Sequence, residues 1–172
     1  MPENAVSEVG LLKLGLCVVV VFLVKATALA QPAPDFELPV LDQGYTLNLA
    51  DVKGKVVYLD FWASWCAPCA LSLPELEKLR ARFHDQGFEV VAINLDSSLE
   101  DARRFLKDKN ISYPILFDQN QVTPERYGVA GMPTAFLLDR QGQLRDTHTG
   151  FKKGDTEKLA IIIQQLLRDE ES

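Results

Sequence analysis

The sequence predicts an α/β domain with a central mixed β-sheet and helices on both of its faces. Two stretches, 56–62 and 88–95, are β-branched, aromatic and almost entirely apolar, which is typical of strands buried on both sides. A segment with helical spacing of its apolar residues, 67–82, lies between them. A hairpin and a final amphipathic helix follow, and strands that alternate with helices in this way build layered sheets.

Composition supports one soluble globular domain. The 172 residues are 47% hydrophobic and 24% charged, enough to bury a sizeable core. The net charge is −6 and the basic residues are scattered. No nucleic acid is therefore expected as a partner.

The first thirty residues have the character of a targeting segment. Leu14–Val24 is an uninterrupted apolar run preceded by Lys13. A spanning helix needs roughly 20 apolar residues, so this run suits the core of a signal peptide. Ala28-Leu29-Ala30 has the small-x-small pattern of a cleavage site, which predicts a mature start at Gln31.

We therefore predict a signal peptide over 1–30 and one domain over 31–172. The alternative is an uncleaved membrane tether through residues 14–24. Both interpretations place the domain outside the cytoplasm, in the periplasm. Cys17 lies inside the apolar run and would be lost on cleavage, which leaves Cys66 and Cys69 as the cysteines of the mature chain.

The amino-terminal part of the domain should be extended. Three prolines, Pro32, Pro34 and Pro39, exclude a helix there. A turn at 42–44 separates residues 36–38 from 45–47, which predicts a small hairpin.

Helical spacing predicts a helix over 67–82. Its apolar residues on or near one face are Leu71, Leu76, Leu79 and Phe83, and Pro74 should kink it. Gly87 ends the segment before the strand at 88–95.

The remaining elements are shorter. We expect a helix capped by Ser98 and running to Lys109, a strand over 113–117 and a helix over 122–127. A hairpin of 134–138 with 143–147 and a helix over 155–167 complete the chain.

Cys66 and Cys69 stand two residues apart where the first buried strand gives way to a helix. A disulfide between them would close a very short loop and add little stability. Zinc needs about four ligands, and the two histidines, His84 and His148, are far apart in sequence. A monovalent copper ion held by two thiolates and a third ligand stays a minor alternative.

A redox role explains more of the neighbouring residues. Cys66 at a helix start would be favoured as a thiolate, because free N–H groups and the helix dipole stabilise an anion. Cys69, one turn further, could resolve a mixed disulfide. Pro68 fits the first helical turn, where its missing N–H is not needed, and Trp65 would flank the exposed sulfur.

Asp60 is unusual because it lies in the middle of an apolar strand. A buried carboxylate is costly without a purpose or a partner. One interpretation pairs Asp60 with a lysine such as Lys55. The interpretation that we favour makes it an acid/base of raised pKa that shuttles a proton for Cys69.

The segments DFWASWCAPC, followed by Pro74, and YGVAGMPT at 127–134 resemble the thioredoxin family. The resemblance implies a thioredoxin-like fold with Asp60, Cys66 and Cys69 as catalytic residues and Cys66–Cys69 as the redox disulfide. It also makes Pro133 a cis-proline, whose neighbour Met132 offers backbone hydrogen bonds to an extended client strand.

Residues 34–167 resemble more closely the exported TlpA/ResA branch, with its amino-terminal hairpin and a central αβ insertion at 98–117. That branch implies reduction of client cysteines in apocytochrome c or copper-centre assembly proteins, with an upstream membrane electron donor and without a cofactor. A ResA-like site has Glu three residues after the second cysteine, and here Ser72 stands there. Asp60 is therefore expected to carry the proton.

Two other functions stay open at this point. One is a copper chaperone that uses the same thiolates. The other is a peroxidase of the peroxiredoxin type, although that type has Thr and Pro just before its reactive cysteine, where Ser64 and Trp65 stand here.

Overall fold

The computed structural model describes residues 31–168. The strands are β1 (Glu37–Pro39), β2 (Thr46–Asn48), β3 (Val56–Trp62), β4 (Phe88–Asn94), β5 (Ile115–Phe117), β6 (Thr134–Leu138) and β7 (Leu144–Thr149). The α-helices are α1 (Ala67–Phe83), α2 (Leu99–Leu106), α3 (Val122–Tyr127) and α4 (Asp155–Arg168).

The main sheet has five strands in the order β5-β4-β3-β6-β7. Strands β3, β4 and β5 are parallel, whereas β6 runs antiparallel to both β3 and β7. All seven residues of β3 are buried, because this central strand is covered on both faces. The predicted mixed sheet is confirmed.

Two hydrophobic cores lie on the two faces of β3. The first holds Tyr58 and Trp62 with apolar residues of α1, α2 and α4. The second holds Leu59 and Phe61 with the amino-terminal segment and with Tyr127 of α3. The predicted helices on both faces are therefore confirmed.

The α1 helix runs unbroken past Pro74 to Phe83. Its buried residues are Cys69, Ser72, Leu73, Leu76, Leu79 and Phe83. The prediction that Leu71 belongs to the apolar face was wrong, since its side chain is 61% exposed. At 100° per residue, Leu71 lies out of phase with a stripe spaced by three and four residues.

Smaller elements differ from prediction mainly at their ends. The β1–β2 hairpin is displaced by one residue, and α2 ends at Leu106 rather than Lys109. Ser98 occupies the position before α2, but its side chain makes no capping hydrogen bond; its carbonyl oxygen accepts the Asp101 N–H instead, at 3.2 Å.

The amino-terminal segment is extended, as predicted, and reaches both edges of the main sheet. Pro32 forms a bridge to Gln143 beside β7, and Val40 forms a bridge to Leu116 of β5. Such contacts cover strand edges that would otherwise be free to pair with other chains.

The predicted signal peptide, with Cys17, lies outside the described residues. Within 31–168, no helix is long and apolar enough to cross a membrane.

Candidate active site

The two cysteines lie at the carboxyl end of the parallel strands. Cys66 is the residue before α1 and has extended backbone angles, with Pro68 in the first turn of the helix. The helix therefore begins at the cysteine pair, as the sequence predicted, and the cysteines lie at its N-terminal end, where the first N–H groups lack partners within the helix.

A disulfide joins Cys66 and Cys69. The Cys69 N–H donates to the Cys66 sulfur at 3.3 Å, so this sulfur is the acceptor that caps the helix. Cys66 keeps 5% of its surface exposed, whereas Cys69 is fully buried. Cys66 is therefore the more accessible of the two cysteines.

Asp60 lies on the face of β3 that packs under α1, the same face as Tyr58 and Trp62. It is 1% exposed, and its Oδ2 atom has no hydrogen-bond partner among the described residues. Burial raises the pKa of this carboxyl well above its ordinary value. The alternative pairing with Lys55 is wrong, because Lys55 contacts Glu89 at 3.3 Å.

Two buried tyrosines share the environment of Asp60. Burial is the largest cause of the raised pKa of Tyr58 and of Tyr113, and the charge of Asp60 is the next. Tyr113 donates from its hydroxyl to the Leu73 carbonyl oxygen at 3.0 Å, which ties α1 to the segment before β5. Both phenols therefore stay neutral beside the carboxyl.

The Met132–Pro133 peptide bond is cis, as predicted. It precedes β6, and the turn is held by a hydrogen bond from the Thr134 hydroxyl to the Gly131 carbonyl oxygen at 2.7 Å. Met132 is half-buried, and its backbone N–H and C=O make no hydrogen bond within residues 31–168. These two groups are free to pair with an extended strand.

Trp65 stands beside the disulfide with 71% of its surface exposed. A groove runs from Trp65 past Leu95 to residues 129–132. Trp65 and Met132 line this groove together, and Pro68 lies in the first turn of α1 between the two cysteines.

Asp96 is a residue that the sequence analysis missed. Its buried carboxylate accepts the Ser64 N–H at 3.0 Å, the Ser64 hydroxyl at 2.9 Å and the Asn94 side-chain amide at 2.8 Å. It thereby fixes the loop between β3 and Cys66. A signal existed in the sequence, because Asn94 and Asp96 are polar residues at the end of an apolar strand.

Ser72 is also buried, and its hydroxyl donates to the Cys69 carbonyl oxygen at 3.3 Å. It supplies no charge near the cysteines.

Among residues 31–168, no group of three or more His, Cys, Asp or Glu side chains could hold a metal ion.

The fold and the site together define a dithiol–disulfide protein of the thioredoxin type. The Redoxin family pattern matches residues 28–162. The chain belongs to this family, in its TlpA/ResA-type thioredoxin-like branch, and is a thiol-disulfide oxidoreductase.

Individual relatives agree with this assignment. The thiol-disulfide oxidoreductase ResA of Geobacillus kaustophilus is 32% identical over 91% of each chain. The thioredoxin-like protein YneN of Bacillus subtilis is 40% identical over 70% of this chain and 71% of its own. A crystal structure from Chlorobium tepidum, proposed to be a thiol:disulfide interchange protein DsbE, is 44% identical with a TM-score of 0.77, over 80% of this chain and 96% of that one.

Proposed function

We propose that this protein reduces disulfides of client proteins outside the cytoplasm through the Cys66/Cys69 dithiol. The observation that carries the proposal is the cysteine pair at the start of α1. The Cys66 sulfur accepts a helix N–H, and Cys66 keeps a small exposed fraction whereas Cys69 is fully buried. Helix N-termini lower the pKa of cysteine thiols, and the thiolate is the attacking form.

The reaction then has two steps. The Cys66 thiolate attacks one sulfur of the client disulfide, and a mixed disulfide forms while the other client sulfur leaves. Cys69 next attacks the Cys66 sulfur, which releases the reduced client and leaves the Cys66–Cys69 disulfide.

Asp60 takes the proton that Cys69 must lose before it attacks. A carboxyl that is buried and has a raised pKa accepts a proton readily, and it lies on the face of β3 under α1. The client is held as an extended strand by the backbone of Met132 beside Pro133, and Trp65 and Pro68 contact it next to the sulfur.

The clients that we infer are cysteine pairs of apocytochrome c or of copper-centre assembly proteins. An upstream membrane electron donor would return the protein to its dithiol form, because compartments outside the cytoplasm are kept oxidising.

Export through cleavage after Ala30 belongs to the same proposal. Mass analysis of the mature chain tests it, with Gln31 as the expected first residue.

A redox titration of the Cys66/Cys69 pair against glutathione tests the direction of electron flow. A potential near about −270 mV, as in thioredoxin, is expected of a reductant. A potential near about −120 mV, as in DsbA, would contradict the proposal and indicate an oxidant.

A further inference from the structure

Asp60 and His148 belong to the same row of the main sheet. In the antiparallel ladders, Asp60 of β3 is paired with Ala135 of β6, and Ala135 is paired with His148 of β7. Directly paired residues point to the same face, so both side chains lie on the α1/α4 side. Two strand spacings of about 4.8 Å put their Cα atoms about 10 Å apart.

Both side chains present a buried polar atom that is not hydrogen-bonded. Among the described residues, Asp60 Oδ2 and His148 Nε2 lack hydrogen-bond partners. The residue between them, Ala135, has only a methyl group to fill the row. Trp62 Nε1, on the same face, lacks a hydrogen-bond partner within 31–168 as well. Three such buried polar atoms on one side of the sheet require an explanation.

His148 connects this row with the outside of the protein. It lies on β7, the edge strand of the sheet, and 23% of its side chain is exposed. Its Nε2 atom is 3.6 Å from Asp155 Oδ2 of α4, and its ring contacts Phe151 edge-on. The Asp155 carboxylate also accepts the Lys152 N–H at 2.9 Å, so it is held in place beside the ring.

We propose that His148 is the positioning residue through which Asp60 exchanges its proton with solvent. This inference rests on the proposed role of Asp60 in the dithiol reaction. An imidazole is suited to the task because it takes up and releases a proton near neutral pH. The proposed route needs one water molecule over Ala135, because the two Cα atoms are about 10 Å apart.

The proton balance follows from the second step of the reaction. As the Cys69 sulfur bonds to Cys66 and the client sulfur leaves, the Cys69 proton goes to the Asp60 carboxylate. The dithiol is oxidised, the client disulfide is reduced, and the departing client thiolate takes a proton from solvent. Asp60 then passes its proton to His148, which releases it at the sheet edge beside Asp155.

The other titratable groups on this face define the electrostatic setting. They are Tyr58 of β3, Asp146 of β7, Asp155 and Lys158 of α4, and Tyr113 before β5. Asp146 belongs to the same row as Tyr58, through Leu137, and its charge also raises the pKa of Tyr58, after burial and Asp60. Asp155 is the acidic group that lies directly beside His148.

The test is the lifetime of the mixed disulfide between Cys66 and a model peptide. The reaction is run at pH values between 5 and 9, and the mixed disulfide that remains at each time is trapped by quenching with acid. We expect His148→Gln to slow its resolution about tenfold at pH 7, less than the 10²–10⁴ typical of direct acid–base groups. The equilibrium constant for disulfide exchange between the Cys66/Cys69 pair and glutathione should not change, because a proton route alters rates only. Imidazole in the buffer should restore the rate of His148→Ala.

His84→Gln is the matched control, since His84 follows α1 and contacts Glu89 at the opposite end of the sheet. Adding His148→Gln to Asp60→Asn should cause no further loss. Each of three results for the rate of mixed-disulfide resolution would overturn the inference. They are a wild-type rate in His148→Gln, additive losses in the double variant, and a slow rate in His148→Ala that imidazole does not restore. If Asp60→Asn resolves the mixed disulfide at the wild-type rate, the proposed role of Asp60 fails as well. If Asp60→Asn is slow and His148→Gln is normal, only the inference about His148 fails.

Discussion

At the scale of single residues, the buried carboxyl of Asp60 is the most informative feature of the site. It is fully enclosed, its Oδ2 atom has no hydrogen-bond partner among the described residues, and burial raises its pKa. A carboxyl in this state destabilises the fold when it is ionised. Its retention in the central strand is consistent with a role in the chemistry rather than in stability.

Asp60→Asn should remove a pH dependence of stability. Below about pH 4 both folded and unfolded wild-type chains hold the Asp60 proton. Above that pH the unfolded chain releases the Asp60 proton while the folded chain still holds it. The free energy of unfolding of the wild type therefore falls with rising pH until the pH passes the raised pKa of Asp60 in the folded state. We expect Asp60→Asn to gain about 1 to 3 kcal/mol over wild type at pH 7 and little at pH 4.

Guanidinium unfolding of the oxidised proteins at several pH values measures this difference. Asp35→Asn, at an exposed carboxyl, is the control and should follow the wild-type curve. If the free energies of unfolding of wild type and Asp60→Asn changed in parallel with pH, this would contradict a raised pKa at Asp60.

At the scale of elements, α1 presents the cysteines at one end and a continuous apolar stripe along its inner side. Leu76 belongs to that stripe and is fully buried, whereas Leu71 is on the surface. Leu76→Ala should cost about 2 to 5 kcal/mol in the free energy of unfolding. Leu71→Ala should stay within about 0.5 kcal/mol of wild type. Equal losses in denaturant unfolding would mean that the helix is rotated.

The loop before α1 depends on Asp96. Replacing it with Ala removes the acceptor of the Ser64 N–H and hydroxyl groups, and hydrogen bonds to charged groups are worth about 1.5 to 3 kcal/mol. We expect a loss of at least this size and a slower attack of Cys66 on a peptide disulfide. Ser64→Ala keeps the backbone bond and should lose only about 0.5 to 1.5 kcal/mol. Full activity in Asp96→Ala would show that the loop is held by other contacts.

At the scale of the whole molecule, the sheet separates two cores, and the amino-terminal segment completes the second one. Phe36 is 5% exposed in this core, whereas Tyr45 of the same hairpin region is 53% exposed. Phe36→Ala should cost about 3 to 5 kcal/mol and Tyr45→Ala about 0.5 kcal/mol or less. A small loss in Phe36→Ala on thermal or denaturant unfolding would mean that the segment is dispensable.

Much of this architecture could be predicted, because periodicity is a local property. The strands 56–62 and 88–95 are almost entirely apolar, and the cysteine pair, Asp60 and Pro133 stand in recognisable segments. What the sequence did not reveal depends on contacts between distant segments. The Asp96–Ser64 bonds, the pairing of Lys55 with Glu89 and the row from Asp60 to His148 arise only from strand register. Leu71 was misplaced because a leucine near the stripe looks the same as one within it.

The central claim is that the start of α1 makes Cys66 an unusually acidic and accessible thiol. The most direct measurement is the rate of iodoacetamide alkylation of Cys66 in the reduced protein as a function of pH, resolved from Cys69 by mass spectrometry. We expect a midpoint below about pH 7.5, within the range of cysteines at helix N-termini, and little reaction at the buried Cys69. A midpoint near about pH 8.5, as in a free cysteine, would contradict the account.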